Sequence, residues 1–156
     1  MKKLLKHIVY TTSLLMFATQ ASAFVSKGFI PANVSQIHVV INDSASDGCW
    51  TNIGEVKRYA EDKLRLAGFN VPEGNFEGYD DIKHYVFVIS ITAQRNGGLC
   101  FGAIDLNIQR ATSLNSIIGM FSLGAGSSIF SGMQNVNQGA LEIIGNYMKE
   151  VKDPQW

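Results

Sequence analysis

Lys2, Lys3 and Lys6, an apolar stretch from Ile8 to Ala18, and the small residues Ala21-Ser22-Ala23 open the 156-residue chain in that order. This is the order of a secretory signal: positive charge held inside, an apolar helix for the translocon, then small side chains that fit the peptidase cleft. Cleavage after Ala23 is expected. It divides the chain into a signal peptide at 1–23 and a single globular domain at 24–156, and only the second part has to build a core. The apolar run falls short of the roughly 20 residues of a permanent anchor, so no stable membrane span is expected after processing. Residue 24 is Phe rather than Cys, which closes the route that acylates a cysteine just after cleavage. The expected location is periplasmic, or secreted.

Removal of the signal changes the charge balance. The whole chain carries 13 basic and 13 acidic residues, and the loss of Lys2, Lys3 and Lys6 leaves a net charge of −3 with histidines neutral. A weakly acidic exported domain lacks the electrostatic footprint of a nucleic-acid binder. Cys49 and Cys100 are the only cysteines. In an oxidising compartment such a pair predicts one disulfide, which closes a loop of about 50 residues. A catalytic thiol pair would show Cys-x-x-Cys spacing, and a metal site would need His38 or His84 as further ligands at a spacing the sequence does not show.

About 130 residues are enough to bury a core in one domain. Phe24 to Ala32 reads as an extended lead-in ending near Pro31. Ile37, Val39 and Ile41 alternate with Gln36, His38 and Val40, the period of a half-buried strand. Asn42 to Gly48 reads as a polar loop feeding a helix from about Trp50 to Leu66. In that helix Trp50, Ile53, Val56, Ala60, Leu64 and Ala67 form one apolar stripe, and Glu61 and Arg65 form an i,i+4 pair. Gly68 stands where a left-handed cap is needed, with Phe69 able to fold back on the last turn. His84 to Thr92 reads as a strand, Arg95-Asn96-Gly97-Gly98 as a tight turn, and Leu99 to Arg110 as the returning strand. Cys100 shares the parity of inward-facing Ile104, Leu106 and Ile108. A last helix is expected from Val136 to Val151, capped by Asn135 or Asn137, and Ile117 to Leu123 could add a fourth strand. The order β-α-β-β-(β)-α predicts an α+β fold: a two-layer α/β sandwich whose mostly antiparallel sheet carries two helices on one face.

This layout resembles small envelope domains such as the N-terminal domain of TolB and the curli-assembly type of periplasmic domain. The likeness rests on the strand Ile37–Ile41, the helix ending Lys63-Leu64-Arg65-Leu66-Ala67-Gly68-Phe69, and the hairpin Tyr85–Arg110. It covers most of the mature chain as element order. It implies binding or assembly in the envelope rather than catalysis, and transfers no functional residue.

A search for chemistry gives little. Asp43-Ser44-Ala45-Ser46-Asp47-Gly48 lacks the oxygen ligands and the bidentate Glu of a calcium loop. Gly124-Ala125-Gly126 has no third glycine and no preceding βα unit. His38 and His84 are the only histidines of the mature part and the candidates for general acid–base work, but no nucleophile motif accompanies them. Glu73, Glu77, Asp80 and Asp81 cluster in a loop, read as a solvated acidic surface. No catalytic residue, metal or cofactor is expected.

One segment is more apolar than a simple loop requires: Ile117, Ile118, Met120, Phe121, Leu123, Ile129 and Phe130, interleaved with Gly and Ser. It is either a curved strand packed on the core or an exposed surface for a partner, reached by edge-strand addition. The function expected is therefore that of an exported binding or adaptor domain acting by protein–protein contact in the envelope. Two alternatives stand beside it. One is an inhibitor or immunity-type protein that inserts the Glu73–Asp81 loop; the other is a small hydrolase using His38 or His84.

Overall fold

A computed structural model describes residues 23–74, 84–114 and 117–153, with side chains at all of these except 84, 114, 117 and 118. The elements are β1 (Ala23–Val25), a 3-10 turn at Pro31–Asn33, β2 (Gln36–Ala45), α1 (Ile53–Leu66), β3 (His84–Asn96), β4 (Leu99–Leu114), β5 (Ile117–Met133) and α2 (Asn137–Lys152). One five-stranded sheet runs in the order β1-β5-β4-β3-β2. β2 and β3 are parallel and the other neighbours antiparallel. A parallel pair needs a crossover, and α1 is the helix between β2 and β3. The fold is thus the two-layer α+β sandwich expected, its sheet mixed.

The core lies between the helices and one face of the sheet. Ile37 and Val39 of β2, Phe87, Ile89 and Ile91 of β3, and Ile104, Leu106 and Ile108 of β4 are buried at every second position. They meet Val56, Ala60 and Leu64 of α1 and Ala140, Ile144, Tyr147 and Val151 of α2. The stripe read at three- and four-residue spacing is the stripe that is buried.

The C-terminus of α1 closes as its sequence predicts. Gly68 takes φ +91°, the Phe69 N–H donates to the Leu64 carbonyl at 3.1 Å, and the Gly68 N–H donates to the Arg65 carbonyl at 2.9 Å. This pair of bonds satisfies carbonyls that the helix leaves open. Phe69 is buried and stacks on Phe29 with ring centroids 4.7 Å apart. At the other end the helix starts at Ile53 rather than Trp50. The Trp50 indole is buried, and its Nε1–H donates to Asn52 Oδ1 at 3.0 Å, holding the approach to the helix instead of its first turn.

β2 to β5 all outrun their sequence-based limits. β2 continues through Asn42 to Ala45, where a loop was expected, and Asn42 Nδ2 donates across to Ser90 Oγ at 3.2 Å. β3 reaches Asn96 and β4 reaches Leu114. The largest difference is β5. Only Ile117–Leu123 reads as a strand by propensity, yet the strand holds to Met133 through Gly124 and Gly126. The reason lies in α2: a Cβ at Gly124 would sit 2.6 Å from the Tyr147 hydroxyl, and one at Gly126 would sit 3.0 Å from the ring. The glycines weaken the strand locally but let Tyr147 lie flat on it. Tyr147 in turn stacks on Phe87 at 5.6 Å. The lead-in differs in the other direction: only Ala23–Val25 is strand, and the chain then turns, with the Phe29 N–H donating to the Ser26 carbonyl at 2.8 Å.

Candidate interaction surface

The apolar segment 117–130 divides into an inside and an outside. Phe130 is 6% exposed and belongs to the core, opposite Gly102 on the helix-facing side of the sheet. Its place in an exposed partner surface is corrected by that parity. Leu123 is half-buried and also packs on the core. Met120 and Phe121 are exposed, at 45% and 60%. Ile129, at 75% exposed, alternates with Phe130 and so points to the face away from the helices. Ile117 and Ile118 are placed by register only, opposite Leu114 and Ser113.

Two features bring Met120 and Phe121 outside. First, β4 and β5 outlast the rest of the sheet. The last β3–β4 pair at this end is Tyr85 with Arg110, so Ala111–Leu114 and Ile117–Met120 pair only with each other among the described residues. A two-stranded ribbon results. Second, the register shifts between Ile108 and Gln109, whose partners are Gly124 and Ser122, so Leu123 is left as an extra residue. Such a bulge bends and twists the strand that carries it.

The base of the ribbon is held by polar contacts. The Arg110 guanidinium lies over the Tyr85 ring, 5.3 Å from its centroid, and Nη1 donates to the Tyr85 hydroxyl at 3.2 Å. That hydroxyl donates to the Asn33 carbonyl at 3.5 Å. Arg110 stands opposite Phe121 in the ladder. On the other face Ser122 Oγ donates to Asn107 Oδ1 at 2.8 Å.

The outer edge of β5 is partly covered. β1 pairs with Gly124–Gly126, and the Ser26 N–H donates to the Leu123 carbonyl at 2.8 Å. Residues 117–122 have no strand on that side among the described residues. The sequence carries no plain strand signal for the ribbon: Ala111-Thr112-Ser113-Leu114 break the two-residue alternation that runs through Ile104, Leu106 and Ile108.

The other sequence candidates are placed as follows. The register sets His84 opposite Gln36 and Val86 opposite His38, so the two histidines occupy nearby positions on neighbouring strands. His38 is half-buried. An open groove of about 400 Å³ between the helices is lined by Tyr59, Lys63, Leu141, Glu142, Gly145, Asn146 and Lys149, and by neither histidine. Glu73 is exposed, while Glu77, Asp80 and Asp81 lie outside the described residues. No group of three His, Cys, Asp or Glu residues among the described residues could hold a metal ion. Burial pushes the Tyr147 phenol up in pKa, and its hydroxyl has no partner among the described residues.

Cys49 and Cys100 form the expected disulfide, with Cα atoms 5.7 Å apart and both residues fully buried. The bridge points to an extracytoplasmic compartment. No helix among the described residues is long and apolar enough to cross a membrane.

Comparison with known proteins reaches the fold and stops there. No family model matches the chain, and no curated protein matches it. Among solved structures, a PelC dodecamer from Paraburkholderia phytofirmans is 9% identical, with a TM-score of 0.50 over 86% of this chain and 98% of that one. A single-residue variant of the same dodecamer is also 9% identical, with a TM-score of 0.48 over 85% and 95% of the two chains. At that identity the shared property is the sandwich itself.

Proposed function

We propose that this chain, cleaved after Ala23, is an exported envelope domain that works by protein–protein contact rather than by catalysis, and that the β4–β5 ribbon is its contact surface. The observation that carries the reading is the exposure of Met120 and Phe121 on a two-stranded ribbon whose outer edge, among the described residues, has no strand beside 117–122. Exposed apolar side chains beside a free strand edge suit addition of a partner strand, in which main-chain bonds give affinity and the alternate side chains give selectivity. The buried disulfide supports the export step.

The test is crosslinked co-purification of the tagged mature protein from envelope fractions, beside a Phe121→Ser variant of unchanged melting temperature. A reproducible partner lost in the variant is the expected result. Equal capture by both proteins would remove the ribbon from the contact. N-terminal sequencing of the exported protein should begin Phe-Val-Ser-Lys; any other start would move the cleavage site.

A further inference from the structure

The bond expected to be cut on export, between Ala23 and Phe24, lies inside a strand of the finished sheet. Ala23, Phe24 and Val25 of β1 pair with Gly126, Ala125 and Gly124 of β5, and the Ser26 N–H donates to the Leu123 carbonyl at 2.8 Å. Val25 is 1% exposed, and Ala23 packs against the core. Phe29 follows, equally buried and stacked on Phe69. The chain on the mature side of the bond is therefore fixed by a buried side chain at its second residue and by a main-chain hydrogen bond at its third. The small residues that fit the peptidase cleft, Ala21-Ser22-Ala23, share Ala23 with this strand. Ala21 and Ser22 lie outside the described residues.

We infer that seating of β1 and removal of the leader exclude one another: the bond is cut only while β1 is off the sheet, and a chain that seats β1 before it is cut keeps its apolar leader. This rests on the reading of Ala23 as the export cleavage site. A peptidase binds its substrate as an extended segment and needs the backbone on both sides of the bond free to enter its cleft. Chain already held in a fold becomes a substrate through local opening, at a rate set by the population of the open form. Opening here means drawing Val25 out of the core, and the burial of one such side chain lowers the open population by roughly tenfold or more. The pairing with Gly124–Gly126 and the Ser26 bond lower it further. The edge position of β1 does not relieve this. Its outer side is free among the described residues, but the Val25 side chain is in the core and Phe29 fixes the segment beyond it.

The experiment uses the full-length chain, leader included, refolded in detergent with its disulfide intact, and a purified signal peptidase. A synthetic peptide of residues 15–30 gives the rate for the same bond with no sheet to join. Cleavage of the folded chain should be slower than that of the peptide by roughly tenfold or more, with the Ser26 amide slow to exchange its hydrogen. Val25→Asp leaves Ala21-Ser22-Ala23 untouched and removes the buried anchor. It should speed exchange at Ser26 and bring cleavage of the full chain up to the rate of a peptide with the same substitution. Equal cleavage of the wild-type chain and its peptide, with the Ser26 amide still protected, would overturn the exclusion. Slow cleavage of a Val25→Asp chain whose Ser26 amide exchanges freely would overturn it too, since something other than β1 would then shield the bond. The wild-type comparison decides even where Val25→Asp loses more of the fold than β1. A peptide left uncut, or cut elsewhere than after Ala23, would instead bring down the cleavage site on which the inference rests.

Discussion

The two ends of the sheet are built on opposite plans. At the β3–β4 turn three stretches of chain, 47–51, 95–100 and 134–137, are tied to one another. The Arg95 guanidinium donates to the carbonyls of Asp47, Gly98, Gly48 and Gln134 at 2.9, 2.7, 3.4 and 3.0 Å. The Cys49–Cys100 bridge lies beside it, and the Val136 N–H donates to the Cys49 carbonyl at 2.8 Å. Asn137, the first residue of α2, accepts from the Thr51 N–H at 3.0 Å and donates to Thr51 Oγ1 at 2.7 Å. At the other end the ribbon leaves the sheet with Arg110 and Tyr85 at its base; Ala111 is buried there, while Met120 and Phe121 are exposed. One end spends its polar groups on its own backbone; the other, among the described residues, leaves a backbone edge unpaired and two large apolar side chains exposed. Cross-linking and exposure are thereby separated along the same two strands.

That contrast can be broken most heavily at the closed end. Replacing both cysteines by serine should lower stability by about 4 kcal/mol on the chain-entropy account of a loop of this length, measured by urea unfolding of the exported form. A loss under about 1 kcal/mol would mean that the Arg95 and Asn137 contacts hold this end unaided.

The middle of β5 gives the next largest effect. Gly124→Ala should cost about 1–3 kcal/mol, because the new methyl meets a buried ring that is stacked on Phe87 and has little room to move. Adding Tyr147→Phe removes the atom that is struck, so the double variant should recover part of the loss; strict additivity would show that Gly124 matters for another reason.

Tyr147→Phe alone should raise stability by up to about 1 kcal/mol, since it deletes a buried hydroxyl with no described partner. The pH dependence has a fixed sign. A phenol whose folded pKa stands above its ordinary value of 10.0 holds its proton more tightly in the folded state. Its contribution is therefore complete below pH 10 and is lost as pH rises beyond that. The alkaline decline should be shallower in the phenylalanine variant.

The smallest effect belongs to the open end. Phe121→Ser should change stability by no more than about 0.5 kcal/mol, whereas the same change at Phe130 should cost about 3 kcal/mol or more. Similar losses at the two positions would mean that Phe121 is packed and that the ribbon is not a free surface.

How much of this could be read from the sequence varied by region, for physical reasons. α1, its Gly68 cap, the Gly97-Gly98 turn and the disulfide were all legible, because each depends on local spacing or on a residue type with few uses. The second half of β5 was not. Gly124 and Gly126 argue against a strand in isolation, and only the ring of Tyr147, some 20 residues further on, gives their purpose. The apolar segment was recognised as unusual without being divisible into core and surface. Phe121 and Phe130 look alike in composition; what separates them is the point at which β3 ends and the helices no longer cover the sheet, and that is a tertiary fact. The histidines remained without a role that their surroundings could specify.

β1 carries a consequence for the order of assembly. Phe24 pairs with Ala125 and Val25 with Gly124, so the first strand of the sheet meets a strand about 100 residues later in the chain. A polypeptide that emerges N-terminus first has nowhere to place this strand until nearly all of it has arrived. Its first stretch, including Phe24 and Val25, must wait unpaired, and contacts of such sequence separation form slowly. The segment that appears first is among the last to be seated, and during that interval the whole outer edge of β5 is open to any strand within reach.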